Sequence, residues 1–337
     1  MEVKSSEEVL VSRGFPGWLA EQTLSLAFTT YQGNRLYLVG LKADGRLSVF
    51  QRVFPRSMGL WSVGESLWLS SQFQIWRLEN VLRHGPDQQG FDRLFVPRVG
   101  QVTGNIDVHD LAIDDEERVV FINALFGCMA TLSDKDSFEP VWRPPFLSKL
   151  AAEDRCHLNG LALRDSKAAF VTACSTWDVA DGWREKRDDG GVVIDIASRE
   201  IIATGLSMPH SPRWHHNGLW LLNSGTGEFG YLDLNTGTFE SVAFCPGYDR
   251  GLTIVGNHAI VGSSDCRHEQ TFCGLQLDAE LAKRGAEARC DLIVVDFQIG
   301  DTLHWLRVNG VIRELYAITL PGVPRLWAFS RTKFNTR

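Results

Sequence analysis

A short pattern recurs along the chain, and its first position often carries a side chain that can transfer protons or bind an anion. The pattern is one variable residue, then a small or polar residue, then an apolar run. Its first positions are Leu24, Met58, His109, Asn159, His210, Arg250 and Glu314. Imidazole and carboxylate groups act as general acids and bases, and guanidinium groups bind carboxylates through paired N–H donors. If the fold brings these positions together, they form a site for proton transfer on a small anionic molecule.

The residue two places before a first position adds to this set. Side chains alternate along a strand, so these residues point to the same side as the first positions. We expect four residues to carry the chemistry, namely His109, His157, His210 and Glu314. We expect seven residues to bind the substrate, namely Asn159, Arg250, Tyr248, Asp107, Arg56, Trp177 and Trp183. Converging polar groups in one concavity are typical of a small-molecule site.

One chemistry open to these histidines needs no metal. The imidazoles then act as general acid and base, and Glu314 or Asp107 fixes their tautomers. Arg250 or Arg56 holds a substrate carboxylate. The residue types therefore suit acid–base catalysis on an organic acid.

The other chemistry uses a divalent metal, Zn²⁺ or Fe²⁺. His109, Asn159 and His210 would bind it and leave a position for a water that attacks or deprotonates the substrate. A nucleotide cofactor is not expected. The motif Gly225-x-Gly227-x-x-Gly230 leads into strand-like sequence, whereas a dinucleotide site requires a helix there.

Two long loops are expected on the same face as these residues. Residues 175–190 contain Trp177 and Trp183, and we expect them to form a lid. Residues 264–289 contain the helix-like segment LDAELAKRGAEA. Loops of this length are uncommon unless they are functional or disordered.

The elements that position these residues are those of an all-β protein, a β-propeller of four-stranded antiparallel blades. Apolar runs of four to seven residues alternate with Gly, Asn or Asp turns through most of the sequence. The first positions are 34, 51, 50, 51, 40 and 64 residues apart, and a blade takes about 40–50 residues. Seven first positions favour seven blades, whereas six result if the two ends merge into one closing blade. We assign residues 1–22 to an N-terminal extension with a short helix and residues 23–337 to one propeller domain.

Composition and charge exclude several other classes of protein. Hydrophobic residues make up 44% of the chain and charged residues 22%, as in a globular protein. The net charge is −7 and no Lys/Arg cluster is present, which argues against a nucleic-acid partner. No apolar run reaches membrane-spanning length and no secretory signal is recognisable, so we expect a cytoplasmic protein without membrane contact. The seven cysteines lack a C-x-x-C pair and are expected to be buried free thiols, and no signal for an oligomeric state is present.

Four stretches resemble a bacterial β-propeller family of conserved hypothetical proteins. They are Glu153-Asp-Arg-Cys-His-Leu-Asn-Gly-Leu-Ala, Leu206-Ser-Met-Pro-His-Ser-Pro-Arg-Trp, Trp220-Leu-Leu-Asn-Ser-Gly-Thr-Gly-Glu and Cys245-Pro-Gly-Tyr. The resemblance runs from about residue 15 to residue 330. Similar proteins are associated with a cyclase of scytonemin-type pigment biosynthesis, which implies small-molecule chemistry. Where the family's pattern leads us to expect an acidic or amide residue, this chain has Cys266-Arg-His-Glu, which implies a different substrate preference in that loop.

The sequence is also similar, more loosely, to the gluconolactonase and regucalcin propellers, through Asn159-Gly160 at the start of an inner strand. Members of that group bind a divalent metal through Glu, Asn and Asp at the channel mouth. Glu314 and Asn159 match this pattern in kind, but histidines occupy positions 109 and 210. The similarity therefore implies a softer metal than Ca²⁺, or none.

The leading hypothesis is an enzyme that acts on a small, carboxylate-bearing organic substrate at the mouth of the propeller channel. Its reaction class stays open between a hydrolase of the lactonase kind and a lyase or cyclase, including a role in natural-product biosynthesis. The alternative is a non-enzymatic propeller that binds a protein or peptide on its rim. The 11 tryptophans and the loop with Trp177 and Trp183 support it, because aromatic residues carry much interface energy.

Overall fold

The protein folds into twisted antiparallel sheets joined by short turns. The computed structural model describes residues 7–82, 91, 93–265 and 273–321, and the backbone of 327–329. The strands of the first half are β1 (Glu8–Val11), β2 (Leu26–Thr30), β3 (Arg35–Leu41), β4 (Leu47–Val53), β5 (Leu60–Val63), β6 (Ser66–Ser70), β7 (Gln74–Asn80), β8 (Arg93–Val102), β9 (Val108–Ile113), β10 (Val119–Asn123), β11 (Cys128–Thr131), β12 (Glu139–Trp142) and β13 (Leu158–Arg164). Those of the second half are β14 (Lys167–Ala173), β15 (Gly191–Asp195), β16 (Ile201–Leu206), β17 (Pro209–His215), β18 (Gly218–Asn223), β19 (Glu228–Asp233), β20 (Thr238–Phe244), β21 (Tyr248–Val255), β22 (His258–Ser264), β23 (Asp291–Asp296), β24 (Asp301–Asn309), β25 (Ile318–Thr319) and β26 (Trp327–Phe329). The helices are α1 (Phe15–Glu21), a 3₁₀ helix (Gly182–Lys186) and α2 (Gln276–Arg284).

These strands form a six-bladed propeller of four-stranded antiparallel blades. Blade 1 has the order β25-β2-β3-β4, and blades 2 to 6 begin with β5, β9, β13, β17 and β21. The inner strands of successive blades contact one another around the full circle, and β25 lies between β21 and β5. The prediction of an all-β propeller is confirmed.

The preference for seven blades is wrong, and the six-blade alternative is correct. The two ends of the chain share blade 1, because β25 supplies its inner strand and β2 to β4 supply the rest. Leu24 therefore precedes the second strand of a blade and is not the first position of an inner strand. Its side chain packs in an apolar cluster with Leu26 and Leu315.

Thr29 closes the ring by binding both ends of the chain. Its backbone N–H donates to the Ala317 carbonyl at 3.0 Å, and its carbonyl accepts from the Tyr316 N–H at 2.9 Å. Its hydroxyl accepts from the Ala317 N–H at 3.0 Å and donates to the Met58 carbonyl at 2.6 Å. This closure matters for the site, because it fixes Glu314 and Tyr316 beside blade 2.

The apolar core lies between neighbouring blades. Leu158 and Val171 of blade 4 pack against Ile122 of blade 3, and equivalent clusters lie at the other blade interfaces. Fully burying one such side chain stabilises the fold by about 1.5–3 kcal/mol. Gly251 permits the close approach of blade 6 to the closing segment, because it has a φ of 78° and a Cβ there would meet the Tyr316 carbonyl oxygen at 2.8 Å. The apolar runs in the sequence are therefore the strands that pack between neighbouring blades, and the residues between the runs form the turns.

A buried ion pair ties four inner strands together. The Arg213 guanidinium of blade 5 donates to the Asp110 carboxylate of blade 3 at 2.9 Å. It also donates to the Leu161 carbonyl of blade 4 and the Leu252 carbonyl of blade 6. Because the Arg213 guanidinium has all these partners, its buried charge is satisfied, and we assign the residue a structural role.

The first residues of the chain pack on the last blade. Strand β1 pairs antiparallel with β24 at the outer edge of blade 6, and Phe15, Trp18 and Leu19 of α1 are buried beside it. At the other end β26 pairs parallel with β8 of blade 2. No helix in the part of the chain that the structure describes has the length and apolar character needed to cross a membrane.

The thiols largely follow the prediction. Five cysteines are buried and free, namely Cys128, Cys156, Cys174, Cys245 and Cys290. Cys273 is exposed, which corrects the expectation that all are buried. Cys266, with the rest of the predicted Cys266-Arg-His-Glu feature, lies outside the described residues.

Candidate active site

A cavity of about 220 Å³ lies where the inner strands begin. Residues that precede or start these strands in every blade line it, so segments far apart in sequence meet there. The lining residues are Tyr31, Arg56, Met58, Asp107, His109, Asp154, His157, Trp183, Arg184, Met208, Arg250, Glu314 and Tyr316. Seven of the predicted site residues are in this set, namely Arg56, Asp107, His109, His157, Trp183, Arg250 and Glu314.

Four lining residues share an unusual backbone conformation. Arg56, Asp107, His157 and Met208 hold equivalent positions before the inner strands of blades 2 to 5, and their φ angles are 47°, 51°, 49° and 47°. A residue with a Cβ in this left-handed region carries strain of about 1–3 kcal/mol. Such strain persists when a particular side-chain direction is required, and it is often found at functional sites.

Two histidines meet edge to face in the cavity. The ring centroids of His109 and His157 are 4.7 Å apart and their planes are perpendicular. Nδ1 of His109 lies 3.0 Å from the Asp107 carbonyl oxygen, and because a carbonyl only accepts, this nitrogen carries the proton. Burial, with a contribution from His157, lowers the pKa of His109 to about 3. His109 is therefore neutral near pH 7 and its Nε2 is an unprotonated acceptor.

His157 is held by a carboxylate. Its Nδ1 lies 2.9 and 3.0 Å from the two carboxylate oxygens of Asp154, and Trp183 Nε1 donates to the same carboxylate at 2.8 Å. Burial acts to raise the pKa of Asp154, but His157, His109 and the Trp183 N–H together lower it, so the carboxylate is ionised and accepts both bonds. This arrangement leaves His157 Nε2 for proton transfer and stabilises the imidazolium when it forms.

Guanidinium groups of blades 2 and 6 supply positive charge to the cavity. Arg56 donates to Asp107 at 3.3 Å and to the Tyr31 hydroxyl. Arg250 forms an ion pair with the buried Glu314 at 3.6 Å. The Arg250 guanidinium also lies 4.9 Å from the ring centroids of both Tyr248 and Tyr316. The cavity therefore combines imidazole acceptors with cations placed by carboxylates and aromatic rings.

Four predicted residues are not brought into this cavity. Asn159 is bonded within blade 4, where its Oδ1 accepts from Thr172 at 2.6 Å and its Nδ2 donates to the Cys174 sulfur. Trp177 is exposed, with the Lys186 ammonium 4.8 Å from its ring centroid. The physical reason is that Thr172 of the neighbouring strand and Cys174 just beyond it hold the Asn159 amide within its blade, and that Trp177 lies farther out on its loop than Trp183.

His210 and Tyr248 lie behind the cavity wall. Nδ1 of His210 donates to the Met208 carbonyl at 2.8 Å, and its ring contacts the Tyr248 ring edge-on at 5.7 Å. Burial and the Arg250 charge place the pKa of His210 well below its ordinary value, so the ring is neutral. The Tyr248 hydroxyl is directed at the Met208 sulfur, 3.5 Å away. Met208 lines the cavity, whereas His210 and Tyr248 do not.

The predicted metal ligands do not converge. Of His109, Asn159 and His210, only His109 lines the cavity, and the Asn159 oxygen is engaged by Thr172. Within residues 7–265 and 273–321 as described, no group of three His, Cys, Asp or Glu side chains is arranged to hold a metal ion.

Six lining residues were not predicted as site residues from the sequence, namely Tyr31, Met58, Asp154, Arg184, Met208 and Tyr316. Tyr316 follows Glu314 by two residues. Because side chains two apart on a strand point to the same side, counting two residues after each first position, as well as two before it, predicts Tyr316. Asp154 lies three residues before His157 in a turn, and Tyr31 lies just beyond β2, so neither follows strand periodicity. The loop of residues 175–190 does reach the site, because Trp183 is buried against His157.

Comparison with known proteins supports the fold. A chain from a crystal structure of a nidogen/laminin complex is 13% identical with a TM-score of 0.55, and the match covers 89% of this chain and 98% of that chain. A protein of unknown function from Bacteroides caccae is 9% identical with a TM-score of 0.53, covering 88% and 98%. A virginiamycin B lyase from Staphylococcus aureus is 12% identical, covering 76% and 96%, but its TM-score of 0.41 is too low to bear on function.

No curated protein matches the chain. The similarity to gluconolactonases stays a prediction. A family match extends over nearly the whole propeller, from residue 13 to residue 327. The chain therefore belongs to the family described as Domain of unknown function (DUF4915).

Proposed function

We propose that the protein is an enzyme that transfers protons to and from a small, carboxylate-bearing substrate in the cavity around His109 and His157. The observation that carries this proposal is the His157–Asp154 pair beside the neutral His109, with ring centroids 4.7 Å apart. A histidine oriented by a carboxylate is a common general base, and such catalysis contributes about 10²–10⁴-fold to a rate.

Guanidinium groups at the cavity offer hydrogen-bond donors to an anionic substrate, although three carboxylates, Asp107, Asp154 and Glu314, balance their charge. Arg56, Arg184 and Arg250 line the cavity, and guanidinium groups bind carboxylates in a bidentate manner. Arg250 and Arg56 are held by Glu314 and Asp107, so a substrate carboxylate adds to an existing network. Charge that develops on the substrate during proton removal would be stabilised by the same cations.

The lining residues favour acid–base chemistry over covalent catalysis. No serine, threonine or cysteine is among the described residues that line the cavity. In this proposal His157 Nε2 accepts a proton from a substrate carbon or oxygen, and the arginines stabilise the electron pair left behind. This is the chemistry of a lyase or cyclase, and the same base would activate a water in a lactone hydrolase.

The volume of the cavity limits the substrate. About 220 Å³ suits a molecule of a few to roughly ten non-hydrogen atoms, below the range of drug-sized pockets. Trp183 covers His157, since their rings stack at 4.0 Å, and therefore shields the base from solvent. A small organic acid enclosed beneath Trp183 fits these dimensions.

The test is a proton NMR screen in D₂O with 2-oxo acids, 2-hydroxy acids and lactones that carry a carboxylate. Proton abstraction from carbon gives deuterium incorporation, elimination or cyclisation gives new carbon-bound signals, and hydrolysis opens the lactone. We expect the wild type to act on at least one class and His157→Gln to reduce that rate by at least about 10²-fold. His216→Gln, which changes an exposed histidine, is the matched control. Turnover that His157→Gln leaves unchanged, or a wild type inert on every class, would refute the proposal.

A further inference from the structure

The Tyr316 side chain is buried at the cavity without a protein partner for its hydroxyl. Tyr316 is 5% exposed, and its hydroxyl has no hydrogen bond in the part of the chain that the structure describes. Its ring lies 5.6 Å from His109 and 6.1 Å from Tyr31, measured between centroids. Buried hydroxyls normally find a partner, because an unpaired one loses its bonds to water without replacement.

The position of Tyr316 is fixed by the fold. Its backbone N–H donates to Thr29 in the segment that closes the propeller, and the next residue is held by the Thr29 hydroxyl. Burial raises the pKa of the phenol well above its ordinary value, while the charge of Arg250 acts to lower it. The hydroxyl therefore keeps its proton near neutral pH and is available as a donor.

His109 presents the complementary group. Its Nδ1–H is used by the Asp107 carbonyl, so Nε2 is an acceptor, and no described residue donates to it. A donor and an acceptor on neighbouring rings match a group that both accepts and donates. An alcohol hydroxyl does so, whereas a carbonyl oxygen only accepts and a carbon-bound hydrogen does neither.

We infer that Tyr316 and His109 together recognise a hydroxyl group on the substrate, which makes the ligand a small hydroxycarboxylate. Tyr316 donates to the substrate oxygen and His109 Nε2 accepts its hydrogen, while the arginines hold the carboxylate. This inference rests on the proposed function for the carboxylate part of the ligand. Tyr316 is then the residue that distinguishes a hydroxy acid from the same acid without the hydroxyl.

The test measures binding to matched pairs of acids by calorimetry. The probes are malate with succinate and lactate with propionate, and the proteins are the wild type, Tyr316→Phe and the control Tyr231→Phe, which alters an exposed tyrosine. We expect the wild type to bind at least one hydroxy acid at least about tenfold more tightly than its partner. We expect Tyr316→Phe to reduce this preference to less than about threefold, and Tyr231→Phe to keep it.

Three binding results would overturn the inference. They are equal affinity of the wild type for both members of each pair, no binding of any probe, and an unchanged preference in Tyr316→Phe. A melting temperature of Tyr316→Phe well below that of the wild type would also overturn it, since the hydroxyl would then have a partner within the fold. Failure of the proposed function is a separate result: hydroxy acids bind with the expected preference, but no acid is turned over or exchanged.

Discussion

The imidazole of His157 stacks on the indole of Trp183, with ring centroids 4.0 Å apart and planes 22° from parallel. Both side chains donate to Asp154, so one carboxylate orients the candidate base and anchors the loop that covers it. A change that moves Trp183 therefore also changes the environment of His157. Asp154 therefore couples the position of Trp183 to that of the proposed base His157.

Replacing Asp154 tests this coupling. The neutral amide of Asp154→Asn lacks the charge that stabilises the imidazolium of His157. It has one acceptor oxygen, so either His157 or Trp183 loses a good acceptor. We expect the rate in the D₂O assay to fall at least about tenfold and the protein to lose about 1.5–3 kcal/mol of unfolding free energy at pH 7. Asp189→Asn, an exposed change on the same loop, should match the wild type. An unchanged rate and an unchanged unfolding free energy in Asp154→Asn would show that Asp154 neither assists proton transfer nor stabilises the fold.

His109 makes the protein sensitive to acid. Its pKa is about 3 in the folded state, whereas an unfolded histidine titrates near 6.5. The unfolded state therefore binds more protons between these values, and stability falls as the pH drops from about 6.5 to 3. The loss from this residue is about 1 kcal/mol between pH 6 and pH 5.

Urea titrations at several pH values check this dependence. His109→Gln cannot take up the proton, so its unfolding free energy should fall less than that of the wild type on going from pH 7 to pH 5. His210, which is also buried and neutral, contributes in the same direction and remains in the variant. Parallel pH profiles for the wild type and His109→Gln would contradict the assignment of a neutral, buried His109.

For Asp249 we expect the opposite dependence of stability on pH. It is fully buried in blade 6, and burial raises the pKa of its carboxyl well above the ordinary value, whereas the Ser263 hydroxyl acts to lower it. The folded state then binds more protons than the unfolded state above about pH 4, so this residue lowers stability as the pH rises. Relative to Asp249→Asn, the wild type should lose unfolding free energy between pH 5 and pH 8. The exposed Asp301→Asn serves as the control, and a constant difference between wild type and Asp249→Asn would argue against a raised pKa.

Thr29 tests the closure that places Glu314 and Tyr316. Thr29→Val keeps the shape of the side chain but leaves the Met58 carbonyl and the Ala317 N–H without their partner. We expect a loss of about 2–4 kcal/mol in unfolding free energy, measured by urea titration, because each buried group left unpaired costs about 1–3 kcal/mol. Thr238→Val, at an exposed strand position, should cost less than about 0.5 kcal/mol. Equal stability of the two variants would mean that the closure does not depend on this hydroxyl.

The repeated pattern in the sequence was sufficient to predict the propeller and most of its cavity. Alternation from the first positions correctly brought Arg56, Asp107 and His157 together with His109 and Arg250. It worked because equivalent strand starts converge around the channel in every blade. Blade number was harder, because β25 has only two residues and its partner strands lie at the other end of the chain.

Alternation failed at the first positions of blades 4 and 5. The register shifts near the start of β9, β13, β17 and β21, so the repeat alone does not fix which first positions face the cavity. His109 and Arg250 line it, whereas Asn159 bonds within its blade and His210 packs behind Met208. β-Bulges of this kind redirect side chains beside functional sites and leave no periodic signal in the sequence.

We propose that the Nε2 nitrogens of His109 and His157 face one small-molecule site. Nitrogen NMR of histidine-labelled protein, recorded with and without malate, tests it directly. We expect His109 to carry its proton on Nδ1 near pH 7, and we expect the Nε2 signals of His109 and His157 both to shift as malate saturates, while those of the exposed His216 do not. A proton on Nε2 of His109 in the free protein, or saturation by malate that leaves both signals unmoved, would contradict it.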